Sequence, residues 1–230
     1  MPEPLHTRSI VDAVEDGLRR EILTGAVEPG SAVTELGIAG LFGVGRPTAK
    51  AAIDRVAADG LLTRDGRRSY SVPTIGLEDV ADLYQSRLMI ESGANSVLAQ
   101  RREVPAAARL ANAGLRHAAA LGDAPRVVAA DVEFHLTLVR TVGSQRLVRM
   151  HSSLMAEAHF TMARVQTNQL LRADVIADEH DEILERIEDG DGVAAVATTR
   201  AHLLHARDKL LATMRDSARE LLDGDPDSFS

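Results

Sequence analysis

Three histidines and one aspartate fall on apolar helical stripes in the second half of the chain. Asp131 and His135 are four residues apart, so in a helix a carboxylate and an imidazole point in the same direction. His180 and His202 each stand among apolar residues at helical spacing on two later segments. Burying these four polar groups together is costly unless they satisfy one another, and a divalent cation does so in one step. The pattern therefore predicts a metal site.

The donor set favours zinc, and nickel, manganese or iron are also compatible with it. A single inward histidine is more often a hydrogen-bonded core residue, so the prediction depends on the combination of four. His205 follows His202 by three residues and is either a rival ligand or a surface residue. The remaining histidines show no comparable pattern: His6, His117, His151 and His159. The chain has no cysteine, which excludes disulfides, thiolate ligands and a thiol nucleophile.

The elements that must position these residues are helices. From Leu77 onward the hydrophobic spacing is helical throughout, and glycines and one proline separate most of the segments. The predicted helices cover about 77–102, 105–121, 124–142, 145–166, 170–189 and 192–222. Short connections between long amphipathic helices are typical of an antiparallel all-α bundle, which we assign to a domain of residues 77–222.

A different pattern occupies the first part of the chain. One apolar face consists of Ile38, Leu41 and Phe42, and a second face follows after Gly43 and Gly45. Two short helices joined by such a tight turn indicate a helix-turn-helix, in which Gly43 ends the first helix and Gly45 begins the second. The second helix would present its polar residues outward: Arg46, Thr48 and Lys50.

Two short strands follow this pair of helices. They surround the turn Asp65-Gly66-Arg67-Arg68, so the sequence predicts a β-hairpin with a basic tip. Together these elements predict a winged helix-turn-helix in residues 1–74, and a mainly α protein overall. We expect DNA contacts from six residues: Arg46, Thr48, Lys50, Gly66, Arg67 and Arg68. A solvated turn is the alternative reading of the two wing arginines.

The charge distribution is consistent with this assignment. The formal net charge is −8, which on its own argues against binding to phosphates. Up to Thr74, however, nine basic residues stand against about ten acidic residues, and most of the excess acid lies later in the chain. The sequence shows neither a signal peptide nor an apolar run of membrane-spanning length, so we expect a cytoplasmic protein without a membrane partner.

The first seventy-odd residues resemble the GntR family of bacterial transcription regulators. The resemblance is carried by four stretches: Ile22-Leu23-Thr24-Gly25, Pro29-Gly30, Leu41-Phe42-Gly43-Val44-Gly45-Arg46 and Ala58-Asp59-Gly60-Leu61-Leu62. Residues 77–210 are similar to the FCD ligand-binding domain of the FadR subfamily. Its motifs appear in order: Leu83-Tyr84-Gln85-Ser86-Arg87 with Glu91, Asp131-Val132-Glu133-Phe134-His135, Asp178-Glu179-His180 and Arg200-Ala201-His202-Leu203.

The resemblance carries the family's metal ligands over to Asp131, His135, His180 and His202. It also implies that Arg87 engages the carboxylate of a small organic acid, the effector. A surface ion pair with Glu91, four residues on, is the alternative reading of Arg87. The family further implies a homodimer, a short inverted-repeat operator in double-stranded DNA, and most often a repressor.

These observations predict a DNA-binding regulator and not an enzyme, with no catalytic residue assigned. Two other hypotheses remain open at this point. The bundle could be a dimerisation module whose metal is only structural. The same four ligands could also hold a catalytic metal, although no unambiguous general base accompanies them, since the nearby Glu133 and Glu179 lie off the helical faces of the ligands.

Overall fold

The computed structural model describes residues 9–65, 69–165 and 172–223, which form two compact units, Met1–Thr74 and Ile75–Ser230. The first unit has three helices and three strands in its described part: α1 Ile10–Leu23, β1 Ala32–Val33, α2 Glu35–Phe42, α3 Arg46–Ala58, β2 Thr63–Asp65 and β3 Ser69–Ser71. The described part of the second unit has six helices: α4 Leu77–Arg101, α5 Ala106–Ala120, α6 Ala124–Thr141, α7 Gln145–Val165, α8 Ala173–Asp189 and α9 Gly192–Asp223.

The core of the first unit forms where α1 packs on α3. Val14, Leu18 and Ile22 repeat every four residues on α1 and are buried, as their spacing requires for one face of a helix. Ala49 and Ile53 are buried on the facing side of α3. Small alanines on that face of α3 let the two helices approach closely.

The turn between α2 and α3 has the predicted geometry. Thr34 caps α2 by accepting a hydrogen bond from the Gly37 N–H at 3.1 Å, and Gly43 ends the helix in the left-handed conformation with φ 64°. Leu41 differs from the prediction, because it is 58% exposed while Ile38 is buried. The α2 helix has only eight residues and packs on α3 along one side, which leaves Leu41 at the edge of that contact.

The small sheet has the strand order β1-β3-β2 and is antiparallel. Strands β2 and β3 form the predicted hairpin, with Thr63 opposite Ser71 and Asp65 opposite Ser69. Strand β1 was not predicted, since two residues cannot show an alternating pattern; it pairs Val33 with Tyr70. The sheet joins the start of α2 to the hairpin, and with the helices it confirms the predicted mainly α fold with a β wing.

Helix α4 is the central element of the second unit and contacts α6, α7, α8 and α9. Two apolar clusters lie along it, one around Leu83 and Leu88 and the other around Leu98 and Ala99. The helices α6 and α9 contribute to both clusters as well. The observed helix bounds agree with the prediction within a few residues; the predicted residues 166, 170 and 171 lie outside the described ranges.

A polar layer separates these two apolar clusters. Arg87, Glu91 and Asn95 occupy successive turns of α4 between them and are 1–2% exposed. Asp131 and His135 on α6 lie at the same level, since their apolar neighbours on either side belong to different clusters. A buried layer of this kind must satisfy its own hydrogen bonds or bind a polar ligand.

Candidate functional site

The four predicted metal ligands meet inside the second unit. Asp131 and His135 come from α6, His180 from α8 and His202 from α9, and all four are buried. One ligand atom from each lies within 4.8 Å of the other three. Residues far apart in sequence therefore converge on one point, because each stands on the inward stripe of a packed helix.

The nitrogen and oxygen atoms of these four side chains lie close together. His202 Nε2 lies 3.2 Å from His135 Nε2. The Asp131 Oδ1 atom lies 3.5 Å from His180 Nε2 and 3.9 Å from His135 Nε2. Three Nε2 atoms and one carboxylate oxygen thus face a common centre.

Each of the three imidazoles is oriented by a partner at its other nitrogen. The Nδ1 atoms of His135, His180 and His202 lie 2.7 Å from Glu91 Oε2, 3.1 Å from Asn112 Oδ1 and 2.8 Å from Glu179 Oε2, in that order. His180 and His202 can donate their Nδ1–H to Asn112 and Glu179, and each then has its free lone pair on Nε2, directed at the centre. Such outer partners fix the tautomer and the orientation of metal-binding histidines.

The side-chain amide of Asn112 is itself held in one orientation by hydrogen bonds. Its Nδ2 donates to the Ala177 carbonyl at 2.9 Å and to Asp181 Oδ1 at 2.7 Å. Both donor hydrogens are therefore used elsewhere, and the amide oxygen is the atom left to accept from His180.

The electrostatics of the cluster favour the neutral form of two of these imidazoles, His135 and His180. Burial lowers the pKa of His135, an effect that the charge of Glu91 only partly opposes. Burial, with His202 and His135 nearby, lowers the pKa of His180 further. Among the described residues His180 Nε2 is buried without a hydrogen-bond partner. A neutral Nε2 with an unused lone pair, beside a carboxylate and two further imidazoles, is a suitable ligand for a divalent cation. Such a cation would satisfy the polar groups of the cluster.

Glu91 connects this cluster to a second group of polar side chains. Its Oε1 accepts from Arg87 Nε at 2.8 Å and lies 3.0 Å from His151 Nε2, while its Oε2 faces His135. Burial raises the pKa of Glu91, but Arg87 and His135 outweigh burial and hold it well below its usual range. The carboxylate is therefore ionised and bridges three cationic or hydrogen-bonding groups.

Arg87 does pair with Glu91 four residues on, but the pair is buried. The two side chains are 2% and 3% exposed, so the surface ion pair considered above is the wrong description of their environment. Burial lowers the pKa of Arg87, yet Glu91 more than compensates and raises it, which keeps the guanidinium charged. The guanidinium also lies 4.9 Å from the centre of the Tyr84 ring.

Three buried atoms in this group have no hydrogen-bond partner among the described residues: Arg87 Nη2, His151 Nδ1 and Glu91 Oε2. The last lies 2.7 Å from His135 Nδ1, but not in hydrogen-bonding geometry. A charged guanidinium with a free donor, held beside a candidate metal centre, can bind an anion in a fixed orientation. Sequence reasoning missed His151, since it lacks a partner at helical spacing on its own helix.

The two carboxylates considered as general bases are engaged elsewhere. Glu133 accepts from Arg140 at 2.8 Å and from Thr137 at 3.2 Å, and half of its side chain is exposed. Glu179 is shared between His202 and His205, whose Nδ1 lies 2.6 Å from Glu179 Oε1. His205 is thus an outer neighbour of the cluster and not one of the four converging residues.

The predicted DNA-contacting residues of α3 lie on the surface of the first unit. Arg46 and Lys50 are exposed, and Thr48 is half-buried. Arg46 Nη2 lies 3.2 Å from Glu35 Oε2, and Lys50 Nζ lies 2.6 Å from Asp54 Oδ2. The hydrogen bond to Asp54 raises the pKa of Lys50. Both side chains are therefore already paired with carboxylates of the same unit.

Asp54 also links α3 to the hairpin of β2 and β3. It accepts a hydrogen bond from the Tyr70 hydroxyl at 2.8 Å, and the guanidinium of Arg64 lies 5.5 Å from the Tyr70 ring centre. Tyr70 and Arg64 stand on β3 and β2, so the hairpin is anchored to α3 by side chains. The predicted wing-tip residues Gly66, Arg67 and Arg68 lie outside the described residues.

Both parts of the chain match known families. A model of the FCD domain matches residues 82–205, and a model described as bacterial regulatory proteins, gntR family, matches residues 10–72. None of the helices in the described ranges has the length and apolar character needed to cross a membrane.

Two curated relatives are transcription regulators. The HTH-type transcriptional regulator YdhC of Bacillus subtilis (strain 168) is 25% identical over 191 residues, which cover 82% of this chain and 85% of the relative. A regulator encoded in the TAR-I ttuE-ttuC' intergenic region of Agrobacterium vitis is 30% identical over 134 residues, or 56% of this chain and 78% of the relative.

Solved structures agree in fold. A GntR transcriptional regulator from Rhodococcus sp. RHA1 superimposes with a TM-score of 0.73 at 22% identity, covering 89% of this chain and 99% of that chain. E. coli McbR/YncC gives a TM-score of 0.74 at 16% identity, covering 90% and 100%. The matched families and relatives are regulators, not enzymes. With a gntR-type helix-turn-helix followed by an FCD domain over more than half its length, the chain belongs to the GntR family of bacterial transcription regulators, in the FCD-containing group typical of FadR.

Proposed function

We propose that this protein is a homodimeric, metal-containing transcriptional repressor that releases its operator when a small organic acid binds in the bundle. The observation that carries the proposal is the polar layer of the second unit. Three imidazoles direct Nε2 at one centre, and Glu91 joins that centre to a buried arginine with a free donor.

The metal would be held by Asp131, His135, His180 and His202, and zinc suits this donor set. Four protein ligands leave room in a larger coordination shell for an oxygen of a bound acid. The chain's own contribution would be to fix the three ring orientations through Glu91, Asn112 and Glu179 and, by burial, to keep His135 and His180 neutral. These outer partners stand on packed helices of the bundle, an arrangement that would preorganise the centre.

Arg87 would recognise the acid. Glu91 occupies Nε of the guanidinium and leaves Nη2 free, so a carboxylate would gain a charge-assisted hydrogen bond at a buried site. The same carboxylate would relieve an unsatisfied buried donor, which costs about 1–3 kcal/mol. Both effects favour an anionic effector over a neutral one of similar size.

The first unit would bind double-stranded DNA through α3 and the wing. We assign Arg46 to a guanine edge, with Lys50, Thr48 and the wing residues Gly66, Arg67 and Arg68 on phosphates or in the minor groove. Two copies related by twofold symmetry would read a short inverted repeat. Arg46 and Lys50 are paired with Glu35 and Asp54, so DNA phosphates and bases would replace these carboxylates.

Elemental analysis tests the metal centre. Protein purified without an affinity tag or chelator should contain close to one metal ion per chain. The variant His202→Ala should lose the ion, whereas His205→Ala is a matched control, because His205 contacts the same Glu179 without reaching the centre. Equal metal content in the two variants would show that the four converging residues are not the ligands.

Operator release tests the regulatory role. Duplexes selected from a random pool by the full-length protein should be released by one or more small carboxylic acids, and Arg87→Met should remove that response. If the protein contains a metal but no acid in a broad panel changes its affinity for DNA, the metal is structural and the bundle serves only for dimerisation. Conversion of an acid to a product would favour the metalloenzyme alternative.

A further inference from the structure

An exposed leucine lies among the charged residues of the DNA-facing surface. Leu36, in the first turn of α2, has 73% of its surface exposed. It borders a surface depression of about 500 Å³ whose rim also carries Arg46, Lys50 and Arg64. Three cations thus surround a large apolar side chain that is open to solvent.

Packing within the first unit does not account for this leucine. Ile38, two residues later, is the buried apolar residue of α2, at 5% exposure. The neighbouring Glu35 faces Arg46 across the depression. The lining of the same depression also includes the buried residues Val33 and Ile53.

The chemical groups around Leu36 indicate which kind of partner it would contact. In the lining of the depression three cations, Arg46, Lys50 and Arg64, stand against one carboxylate, Glu35, and this excess favours a polyanion that approaches this face. Among the groups that a DNA major groove presents on its base edges, the thymine C5-methyl is the apolar one, and apolar side chains read it by direct contact. A leucine placed beside the predicted guanine-reading arginine is suited to that methyl group.

We infer that Leu36 is a base-reading residue that contacts the methyl group of a thymine in each operator half-site. The inference rests on the proposed function, since it requires α3 to dock in the major groove. It adds an apolar determinant from α2 to the polar contacts assigned to α3. The expected operator therefore has a thymine near the base pair that Arg46 reads.

Thymine-to-uracil exchange removes the methyl group and leaves the base pairing intact. An operator is first selected from random duplexes by the full-length protein, and each thymine is then replaced singly by deoxyuridine. Burial of one methyl group corresponds to a factor of about four in affinity. One position per half-site should show a loss of about this size with the wild-type protein.

Two variants test whether the Leu36 side chain causes the loss of affinity on uracil exchange. With Leu36→Ala, the same uracil exchange should have little further effect on affinity. Leu41→Ala is the matched control, because Leu41 stands on the same helix and is 58% exposed but does not border the depression. It should keep the full sensitivity to uracil.

The outcomes separate this inference from the proposed function. Specific binding without a methyl-sensitive thymine, or with the same sensitivity in Leu36→Ala, would overturn the inference and leave DNA binding in place. A change in oligomeric state in Leu36→Ala with unchanged base reading would overturn it too, by assigning the leucine to contact with a second copy. Failure of the selection to yield any common sequence would overturn both.

Discussion

Substituting Glu91 with glutamine tests whether the polar layer is a buried charge network. The side chains of Arg87 and Glu91 are 2% and 3% exposed, so the glutamine variant would leave a buried guanidinium without its counter-charge. Breaking a buried pair in this way costs about 3–5 kcal/mol. For a chain of 150–250 residues each kcal/mol lowers the melting temperature by about 2–4 °C. We expect a decrease of about 6–20 °C.

Thermal unfolding of metal-free protein, followed by far-ultraviolet circular dichroism, measures this decrease. Arg87→Met combined with Glu91→Gln should be less destabilising than the sum of the two single changes, since the double variant has no unpaired charge. Glu182→Gln is a matched control: Glu182 faces Arg186 at the same i,i+4 spacing, at 3.5 Å, but on the surface. Its expected cost is below about 1 kcal/mol.

The reasoning would be refuted if Glu91→Gln and Glu182→Gln lowered the melting temperature equally. That result would mean that water reaches the Arg87–Glu91 pair and screens it as it screens a surface pair. The anion-binding role proposed for Arg87 would then lose its physical basis, because a hydrated guanidinium gains little from a carboxylate.

Three further predictions concern other parts of the chain. Arg46→Ala should weaken operator binding by about 1–3 kcal/mol and relax specificity at one base pair; unchanged affinity in a fluorescence titration would contradict its assignment. Metal-free protein should lose stability as the pH falls below about 6.5. The reason is that histidine in the unfolded chain takes up a proton there, while burial keeps the pKa of His180 low in the folded protein. Denaturant unfolding at pH 7 and pH 5 measures this difference, and equal stability at both pH values would count against it. Gly40→Ala should raise the free energy of unfolding by about 0.5–1 kcal/mol, since alanine favours the helix and its Cβ would lie in open space. In Gly17→Ala the new Cβ would lie 2.5 Å from Phe42 Cε1, so this variant should not show the same stabilisation. Equal melting temperatures for the two variants would show that the Phe42 ring moves aside freely.

Local periodicity was sufficient to bring the candidate ligands together. Asp131 and His135 share a helical face by their spacing alone, and the inward position of His180 and His202 follows from the apolar residues around them. The partners that orient these rings were not predictable in the same way. Asn112 and Glu91 come from other helices, and which side chains meet across a bundle depends on helix packing that a periodic pattern does not encode.

The same limit explains the differences elsewhere in the fold. Strand β1 has two residues, and its strand conformation comes from pairing with β3, which is almost forty residues away in sequence. Leu41 matches the apolar stripe of α2, yet it is exposed, because a stripe gives the direction of a side chain and not the width of the surface that covers it. Arg87 was correctly placed beside Glu91, but spacing alone could not show that the pair is buried.

If Arg46 and Lys50 contact DNA as proposed, the carboxylates that pair with them would affect how the protein finds its target in a genome. Glu35 and Asp54 would act as tethered counterions, so non-specific duplex would have to compete with them for each cation and would gain less than from free side chains. At the correct site, contacts to bases would add to the binding free energy and make the exchange of partners favourable. Since a chromosome offers about 10⁶–10⁹ competing sites, weakening every unspecific encounter shortens the time that the protein spends bound to irrelevant DNA.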